Sequence, residues 1–212
     1  MDQSKKWKSV YYNVPVERNA VALTFDIGNG NETYKKVLHV LSEKKVNKAT
    51  FFLSSPVISE YPEIAKSIKD AGFEIGSHGH NHYNYTEYDD QWIEEQVKKA
   101  ENIIFGLTGV RTNLIRTPNG NFDQRVLKKL SELGYTTIHW SADSFDWMNP
   151  GVEVITHRVL SKAKRGVIIL MHASDTAKQT HLALPGIIDG LRRKGFEFNT
   201  VTELITESQL IN

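Results

Sequence analysis

Short apolar runs alternate along the chain with segments in which apolar residues recur at helical spacing. Seven of the apolar runs have the length and composition of β-strands, and each is followed by a helical segment. The predicted strands are Val21–Asp26, Ala49–Ser54, Phe73–Ser77, Asn113–Thr117, Thr136–Trp140, Val167–Met171 and Glu197–Thr200. Because these runs are mostly apolar, they are typical of parallel strands that helices cover.

The helical segment between Thr86 and Gly109 has the clearest amphipathic pattern. Its apolar residues recur at steps of four and three, and they are Ile93, Val97, Ala100, Ile104 and Leu107. This spacing places them on one face of a helix, which predicts a buried stripe. Thr86 has a side chain suited to an N-cap, and we expect the helix to begin there.

Proline and glycine mark other helix boundaries. Pro62 suits the first turn of a helix, and Gly72, Gly134 and Gly195 suit left-handed residues at helix ends. Repeated right-handed crossovers give either a closed (β/α) barrel or an open doubly wound sheet, and the pattern alone does not separate the two. With 212 residues, 40% of them hydrophobic, the chain has the size of one compact α/β domain.

The charge balance argues against nucleic acid as a partner. The 26 basic and 25 acidic residues give a formal net charge of +1, far from the strong positive charge that binding to phosphates favours. The chain contains no cysteine, so a metal site must use His, Asp or Glu. Met1–Tyr12 has no apolar stretch of signal-peptide length, and no later segment resembles a membrane span. We therefore expect a protein that is cytosolic or has lost a leader.

Polar residues follow five of the predicted strands at their carboxyl ends, where α/β folds place their active sites. Each segment alone has an ordinary structural explanation, because an Asp at a strand end often caps a helix and loop histidines are mostly solvated. His78 and His82, four residues apart, have a spacing that suits one zinc ion. Five such segments at one edge favour an active site. They are Thr24–Gly28, Ser77–His82, Arg116–Gly120, Asp143–Trp147 and Leu170–His172.

In this order the five segments resemble the motifs of the polysaccharide deacetylase family, the NodB homology domain of carbohydrate esterase family four. Their sequences are TFDIGNGN, SHG, RTPNG, HWSADSFDW and LMHASDTAKQT, and they are similar to those of the sporulation-associated PdaB-like or YlxY-like branch. The resemblance covers about residues 20–205 and implies a distorted, TIM-barrel-like (β/α)7 barrel. We expect an N-terminal extension at residues 1–19 and a single deacetylase domain at residues 20–212.

The resemblance implies that four residues carry the chemistry. Asp26 is the expected catalytic base, and Arg116 would hold it in its ionised form. His172 is the expected general acid, and Asp146 would favour its protonated form. A base and an acid would then be available together.

The resemblance also implies a divalent metal ion, Zn²⁺ or another such as Co²⁺, bound by His78 and His82. The family's third protein ligand is the second Asp of TFDDG, and this chain has Ile27 at that position. Isoleucine cannot bind a metal, which leaves three alternatives open. They are a weakly bound metal held by two histidines and water, a substitute ligand such as Asn29 or Asn31, and a domain that has lost catalysis.

Five further histidines have no role in this scheme. His80 lies between the two expected ligands and is either a further candidate ligand or a solvated loop residue. The others, His39, His139, His157 and His181, lie outside the main motif positions, and we expect them on helix surfaces or in the core.

The remaining motif positions are expected to bind substrate. Pro118, Asn119 and Gly120 would form one wall of the groove, and the backbone N–H of Asn119 would donate to the oxyanion. Trp147 would line the pocket, and Leu170 would contact the acetyl methyl group.

The preferred hypothesis is a hydrolase that removes N-acetyl groups from amino sugars of peptidoglycan or chitin-like glycans. A glycan-binding protein that has lost turnover and a hydrolase of another small amide are the alternatives. We expect a monomer with an N-acetylglucosamine or N-acetylmuramic acid polymer as substrate. The resemblance also implies an extracytoplasmic location at the cell wall or spore.

Overall fold

A computed structural model of the chain describes residues 10–211, and residues 1–9 and 212 lie outside the described part. The expected N-terminal extension is therefore described only in part, and its boundary at residue 20 stays a prediction. Nine strands and eight α-helices occur between residues 10 and 211. No helix in that range is long and apolar enough to cross a membrane.

All predicted strands are present, with ends that agree or are shifted by one or two residues, and two short strands are added. The strands are β1 Val10–Tyr11, β2 Ala20–Ile27, β3 Thr50–Leu53, β4 Glu74–Ser77, β5 Leu114–Ile115, β6 Thr136–Ile138, β7 Ala142–Asp143, β8 Ile168–His172 and β9 Glu197–Phe198. The helices are α1 Thr33–Glu43, α2 Ser55–Glu60, α3 Pro62–Asp70, α4 Asp90–Thr108, α5 Gln124–Glu132, α6 Val152–Lys162, α7 Thr180–Arg193 and α8 Val201–Ile211.

The strands form one parallel sheet that curls into a half-barrel, which confirms the distorted (β/α) barrel. Its strand order is β1-β6-β5-β4-β3-β2-β8-β7, and β9 pairs with β2. The N-terminal segment helps to close the curl, because β1 pairs with β6 while Asn13 forms an antiparallel bridge with Val167 beside β8. β2 is thus central, with β3 on one side and β8 on the other.

The side chains of β2 alternate between the two faces of the curled sheet. Leu23, Phe25 and Ile27 pack into the main hydrophobic core, which the helices cover. Thr24 and Asp26 point to the opposite face because successive side chains of a strand alternate. All eight residues of this strand are buried, as expected for a strand covered on both sides.

Helix α4 begins later than the sequence predicts. Asp89 is its N-cap and accepts from the backbone N–H of Trp92 at 2.8 Å. Thr86, the expected N-cap, instead lies in a short 3-10 helix, and its hydroxyl donates to Asn121 Oδ1 at 2.6 Å. The helix therefore starts at Asp90, because the Asp89 carboxylate caps its first turn.

The other helix boundaries match the prediction. Pro62 opens α3, and Gly72 follows its end with φ of +78°. Gly134 and Gly195 follow α5 and α7 with φ of +83° and +79°. A left-handed backbone at these positions favours glycine, and each glycine turns the chain toward the next strand.

Candidate active site

The carboxyl ends of the strands surround a cavity of about 590 Å³. Arg116 and Asp146 are fully buried behind its wall, and Pro118 is buried beside Asn119. The fold therefore brings all the predicted site residues to one edge of the sheet. Those that line the cavity are Asp26, His78, His82, Asn119, Gly120, Trp147, Leu170 and His172.

Asp26 forms a buried ion pair with Arg116. Arg116 Nη1 donates to Asp26 Oδ1 at 2.8 Å, and the Arg116 side chain has no exposed surface. Burial would raise the pKa of Asp26, but the Arg116 guanidinium, together with the nearby His78 and His172, outweighs it and holds that pKa below its ordinary value. Asp26 is therefore an ionised carboxylate at the cavity wall.

Several contacts fix the orientation of Arg116. Its Nε donates to Ile138 O at 3.2 Å, and its Nη1 also donates to Thr24 Oγ1 at 2.9 Å. Its Nη2 donates to His139 O at 3.1 Å, and the guanidinium lies 4.2 Å from the ring centroid of Phe52. Hydrogen bonds at the edges of the planar guanidinium and the Phe52 ring over one of its faces fix its orientation. That orientation in turn sets the position of the Asp26 carboxylate.

His172 lies next to Asp26, because the two residues are paired across β2 and β8. Its Nδ1 bonds to Asp146 Oδ1 at 2.7 Å, and its backbone N–H donates to Asp146 Oδ2 at 2.7 Å. Thr180 also donates its hydroxyl to Asp146 Oδ2, at 2.6 Å. Burial would lower the pKa of His172, but the hydrogen bond to Asp146 and the negative charges of Asp146 and Asp26 together outweigh it and raise that pKa. The cavity thus contains an ionised carboxylate beside a histidine whose protonated form is favoured.

His78 and His82 stand on the loop after β4. The centroids of their rings are 5.2 Å apart, with the rings edge to face. His78 Nδ1 bonds to the carbonyl of Arg116 at 2.9 Å, so this nitrogen carries the proton and Nε2 is left with a lone pair. Burial lowers the pKa of His78 to about 4, and it lowers that of His82 as well. Two neutral imidazoles with a carbonyl behind one of them form a donor set that fits a metal.

Within the described residues, no third protein ligand is evident. Ile27 is fully buried in the main core, on the face of β2 opposite to Asp26. Between residues 10 and 211, no group of three or more His, Cys, Asp or Glu side chains is arranged to hold a metal ion. The donor set therefore fits a metal held by two histidines better than a closed site.

Asn29, one of the suggested substitute ligands, lies at the cavity but both ends of its amide are used. Its nitrogen donates to Thr176 Oγ1, and its oxygen accepts from the backbone N–H of Thr176, each at 3.2 Å. Asn31 donates its backbone N–H to Asp175 Oδ2 at 3.1 Å. These bonds join the loop after β2 to the loop after β8.

The groove wall after β5 has an unusual backbone. Asn119 has φ of +58° within the 3-10 turn Pro118–Gly120. Its side-chain Nδ2 donates to Asn84 Oδ1 at 3.0 Å. Gly120 lies against Trp140, and a Cβ there would approach that ring to 2.5 Å. Trp147, on the opposite loop, is 47% exposed, so it belongs to the cavity rim and not to the core.

Some residues at this site were not identified from the sequence. Ser174 accepts from the backbone N–H of Gly28 at 2.8 Å and donates to Asp26 O at 3.2 Å, which joins β2 to β8. Trp140, Ser174 and Thr176 line the cavity, and Thr180 lies behind Asp146. Single serines, threonines and aromatics carry no spacing signal, and only their place beside the motifs could have indicated them.

The remaining histidines occupy varied places. His80 bonds through Nδ1 to Ser55 Oγ at 2.7 Å, and it is not among the residues that line the cavity. His39 and His157 are exposed on α1 and α6, as expected. His139 is neither on a helix nor in the core: it is half-buried beside the groove because its ring stacks on Trp140 at 3.8 Å. His181, also half-buried, is the second residue of α7.

Sequence comparison relates the chain to a known family. The polysaccharide deacetylase family model matches residues 13–138. The chain is 33% identical over 209 residues to the uncharacterized protein YlxY of Bacillus subtilis, and it covers 64% of that protein's length. It is 34% identical over 199 residues to a peptidoglycan-N-acetylglucosamine deacetylase of Bacillus cereus, with 92% of each chain covered.

Structural comparison gives a similar result with a different functional description. A crystal structure from Bacillus anthracis, described as a carbohydrate esterase family 4 pseudoenzyme, matches with a TM-score of 0.87 and 32% identity. The match covers 93% of this chain and 69% of the other. Proteins described as a deacetylase and as a pseudoenzyme are thus about equally similar to this chain.

Proposed function

Because this chain belongs to the polysaccharide deacetylase family, we propose that it hydrolyses N-acetyl groups on the amino sugars of a glycan. The observation that carries this proposal is the pairing of Asp26 with Arg116 and of His172 with Asp146 on adjacent strands. The first pair maintains a base and the second maintains an acid, and amide hydrolysis needs both. Peptidoglycan is the proposed substrate class, because the similar Bacillus cereus protein is named for that activity.

Asp26 accepts a proton from the attacking water in this proposal. The Asp26 carboxylate lines the cavity, and Arg116 holds its Oδ1, which leaves Oδ2, 3.9 Å from His78 Nε2, to take the proton. The water oxygen then attacks the acetyl carbonyl carbon, and the bond between carbon and nitrogen becomes the next to break. Arg116 positions the carboxylate and does not itself contact the substrate.

His172 completes the reaction by protonating the leaving nitrogen. Its Nδ1 is engaged by Asp146, so its Nε2 is the nitrogen available to donate to the amine. Asp146 stabilises the imidazolium before transfer, and Thr180 fixes Asp146 from behind. The products are acetate and a free amino group on the sugar.

His78 and His82 would hold the divalent metal, Zn²⁺ or Co²⁺, that the family membership implies. When bound, such an ion polarises the acetyl carbonyl and lowers the pKa of a bound water. The backbone N–H of Asn119 would donate to the oxyanion from the other side of the groove. Leu170 and Trp147 would contact the acetyl group and the sugar, since both line the cavity.

We further propose that the protein acts outside the cytoplasm, where peptidoglycan is found, and that it is a monomer that does not bind nucleic acid. The formal net charge of +1 supports the last point.

A glycan-binding protein without turnover is the second candidate function. The burial of Ile27 in the core favours it, because a carboxylate at that position is what completes the family's metal site. The similarity to a family 4 pseudoenzyme supports the same alternative. In this case the cavity would bind acetylated sugar and release no acetate.

Acetate release separates the two candidates. The purified protein is incubated with acetylated peptidoglycan, chitin oligomers and simple amides, each with Zn²⁺, with Co²⁺ or with chelator. The proposal predicts metal-dependent acetate release from a glycan and little from simple amides. Binding of glycan without acetate under every metal condition would establish the second candidate, and release only from simple amides would refute both.

A further inference from the structure

A row of aromatic rings in contact leads from the cavity to the protein surface. Trp140 lines the cavity, and the ring of His139 stacks on it with centroids 3.8 Å apart and planes 11° apart. The ring of Tyr12 follows, 4.6 Å from that of His139. Phe122 meets His139 edge to face at 5.6 Å. We call these four residues the Tyr12 platform.

Backbone hydrogen bonds hold the platform next to the proposed site. His139 N donates to Tyr11 O at 2.7 Å, in line with the pairing of β1 and β6. His139 O accepts from Arg116, the residue that positions Asp26. Gly120 permits the close approach of the groove wall to the rings of His139 and Trp140, since a Cβ at this position would lie 2.9 Å from His139 Nε2 and 2.5 Å from Trp140. The platform is therefore continuous with the groove wall.

The surface of the platform is aromatic and uncharged. Tyr12 is 43% exposed at the outer end, and burial lowers the pKa of His139, which favours its neutral ring. The faces of aromatic rings carry partial negative charge and attract the weakly positive C–H groups of a flat partner. A sugar ring presents such C–H groups on its faces and hydroxyls at its edge.

We propose that the Tyr12 platform is an accessory subsite that binds a neighbouring sugar of the same glycan chain while the reacting sugar occupies the cavity. This inference rests on the proposed function and deepens it, because it makes the substrate an oligomer or polymer and not a single sugar. The glycan is the occupant because Trp140 belongs to both the cavity and the platform, so a chain leaving the cavity on this side crosses Tyr12.

Truncation of the exposed ring tests the subsite. Calorimetry compares binding of two-sugar and five-sugar chitin oligomers to wild type, Tyr12→Ala and Tyr12→Phe. Wild type should bind the longer oligomer more tightly, and Tyr12→Ala should weaken that binding about two- to tenfold, as expected for one aromatic contact. Binding of the shorter oligomer should stay unchanged. Tyr12→Phe keeps the ring and should behave as wild type.

Phe105→Ala is the matched control, because Phe105 is similarly exposed, at 40%, on α4. This variant should bind both oligomers as wild type does. The subsite is refuted if wild type binds the two oligomers equally tightly or binds neither. It is also refuted if Tyr12→Ala binds the five-sugar oligomer as much more tightly than the two-sugar oligomer as wild type does. Dimerisation of wild type that Tyr12→Ala abolishes would also refute it by identifying a second copy as the occupant. Length-dependent binding without acetate release would support the subsite and reject the hydrolase.

Discussion

Replacing Ile27 with Asp tests whether the metal site lacks a ligand. The Ile27 side chain is fully buried in the main core, so its removal loses about 1.5–3 kcal/mol of hydrophobic stabilisation. A carboxylate left in that core without a partner adds a desolvation penalty of about several kcal/mol. Without metal, Ile27→Asp should therefore lower the free energy of unfolding by about 3 kcal/mol or more.

Metal should restore part of this loss. Ile27 is the last residue of β2 and follows Asp26, which lines the cavity with His78 and His82, so we expect a bound metal to draw the new carboxylate out of the core. Loss of a residue that only hydrogen-bonds to a metal ligand costs about 10- to 100-fold in metal affinity. A new direct ligand should therefore tighten zinc binding by at least about tenfold. Zinc at about 100 times its Kd would then return about 2.7 kcal/mol of stability. Acetate release at limiting zinc should rise with the occupied fraction.

The assay combines zinc titration with urea unfolding of wild type, Ile27→Asp and Ile27→Asn, with and without zinc. Ile27→Asn is the matched control, because it has the size of Asp without the charge. It should lose stability and gain no comparable zinc affinity. Equal zinc affinity of wild type and Ile27→Asp would refute the reasoning, because a third ligand would then already be present or the new carboxylate would not reach the metal.

Three other substitutions test the paired groups at the cavity. Alanine at His78 or at His82 should abolish zinc retention measured by elemental analysis, and full zinc content in both variants would place the metal elsewhere. Asp146→Asn removes the group that raises the pKa of His172, while burial still lowers it. Deacetylation needs protonated His172, so activity falls as pH rises through the pKa of His172. The alkaline side of the pH profile of kcat/KM should therefore move to lower pH in Asp146→Asn. A profile that does not move would exclude His172 as the acid.

The sequence predicted the strands well because a buried parallel strand is apolar on both faces. β2 is the clearest case, since all eight of its residues are buried. The short strands β1 and β7 were missed because they interrupt the alternation of strand and helix: β1 is followed directly by β2, and β7 directly follows β6. The start of α4 was misplaced because Thr86 and Asp89 are both suitable caps, and only the bond from Trp92 N decides between them.

The candidate site was predictable where its residues end strands. Asp26 and His172 follow from their positions at the ends of β2 and β8, and the register then makes them neighbours. Contacts between loops were not predictable, since no periodicity links Thr180 to Asp146. The stacking of His139 on Trp140 also depends on the three-dimensional course of the chain and not on a motif.

Asp26→Asn provides the most direct test of the central claim, that an ionised Asp26 beside Arg116 makes this chain a glycan deacetylase. Asn keeps an oxygen that can accept from Arg116 but cannot take a proton from water. With saturating zinc, wild type should release acetate from acetylated peptidoglycan, and Asp26→Asn should release it at least about 100-fold more slowly while retaining its circular dichroism spectrum and its zinc. Undiminished acetate release by Asp26→Asn, or none by wild type, would contradict the account.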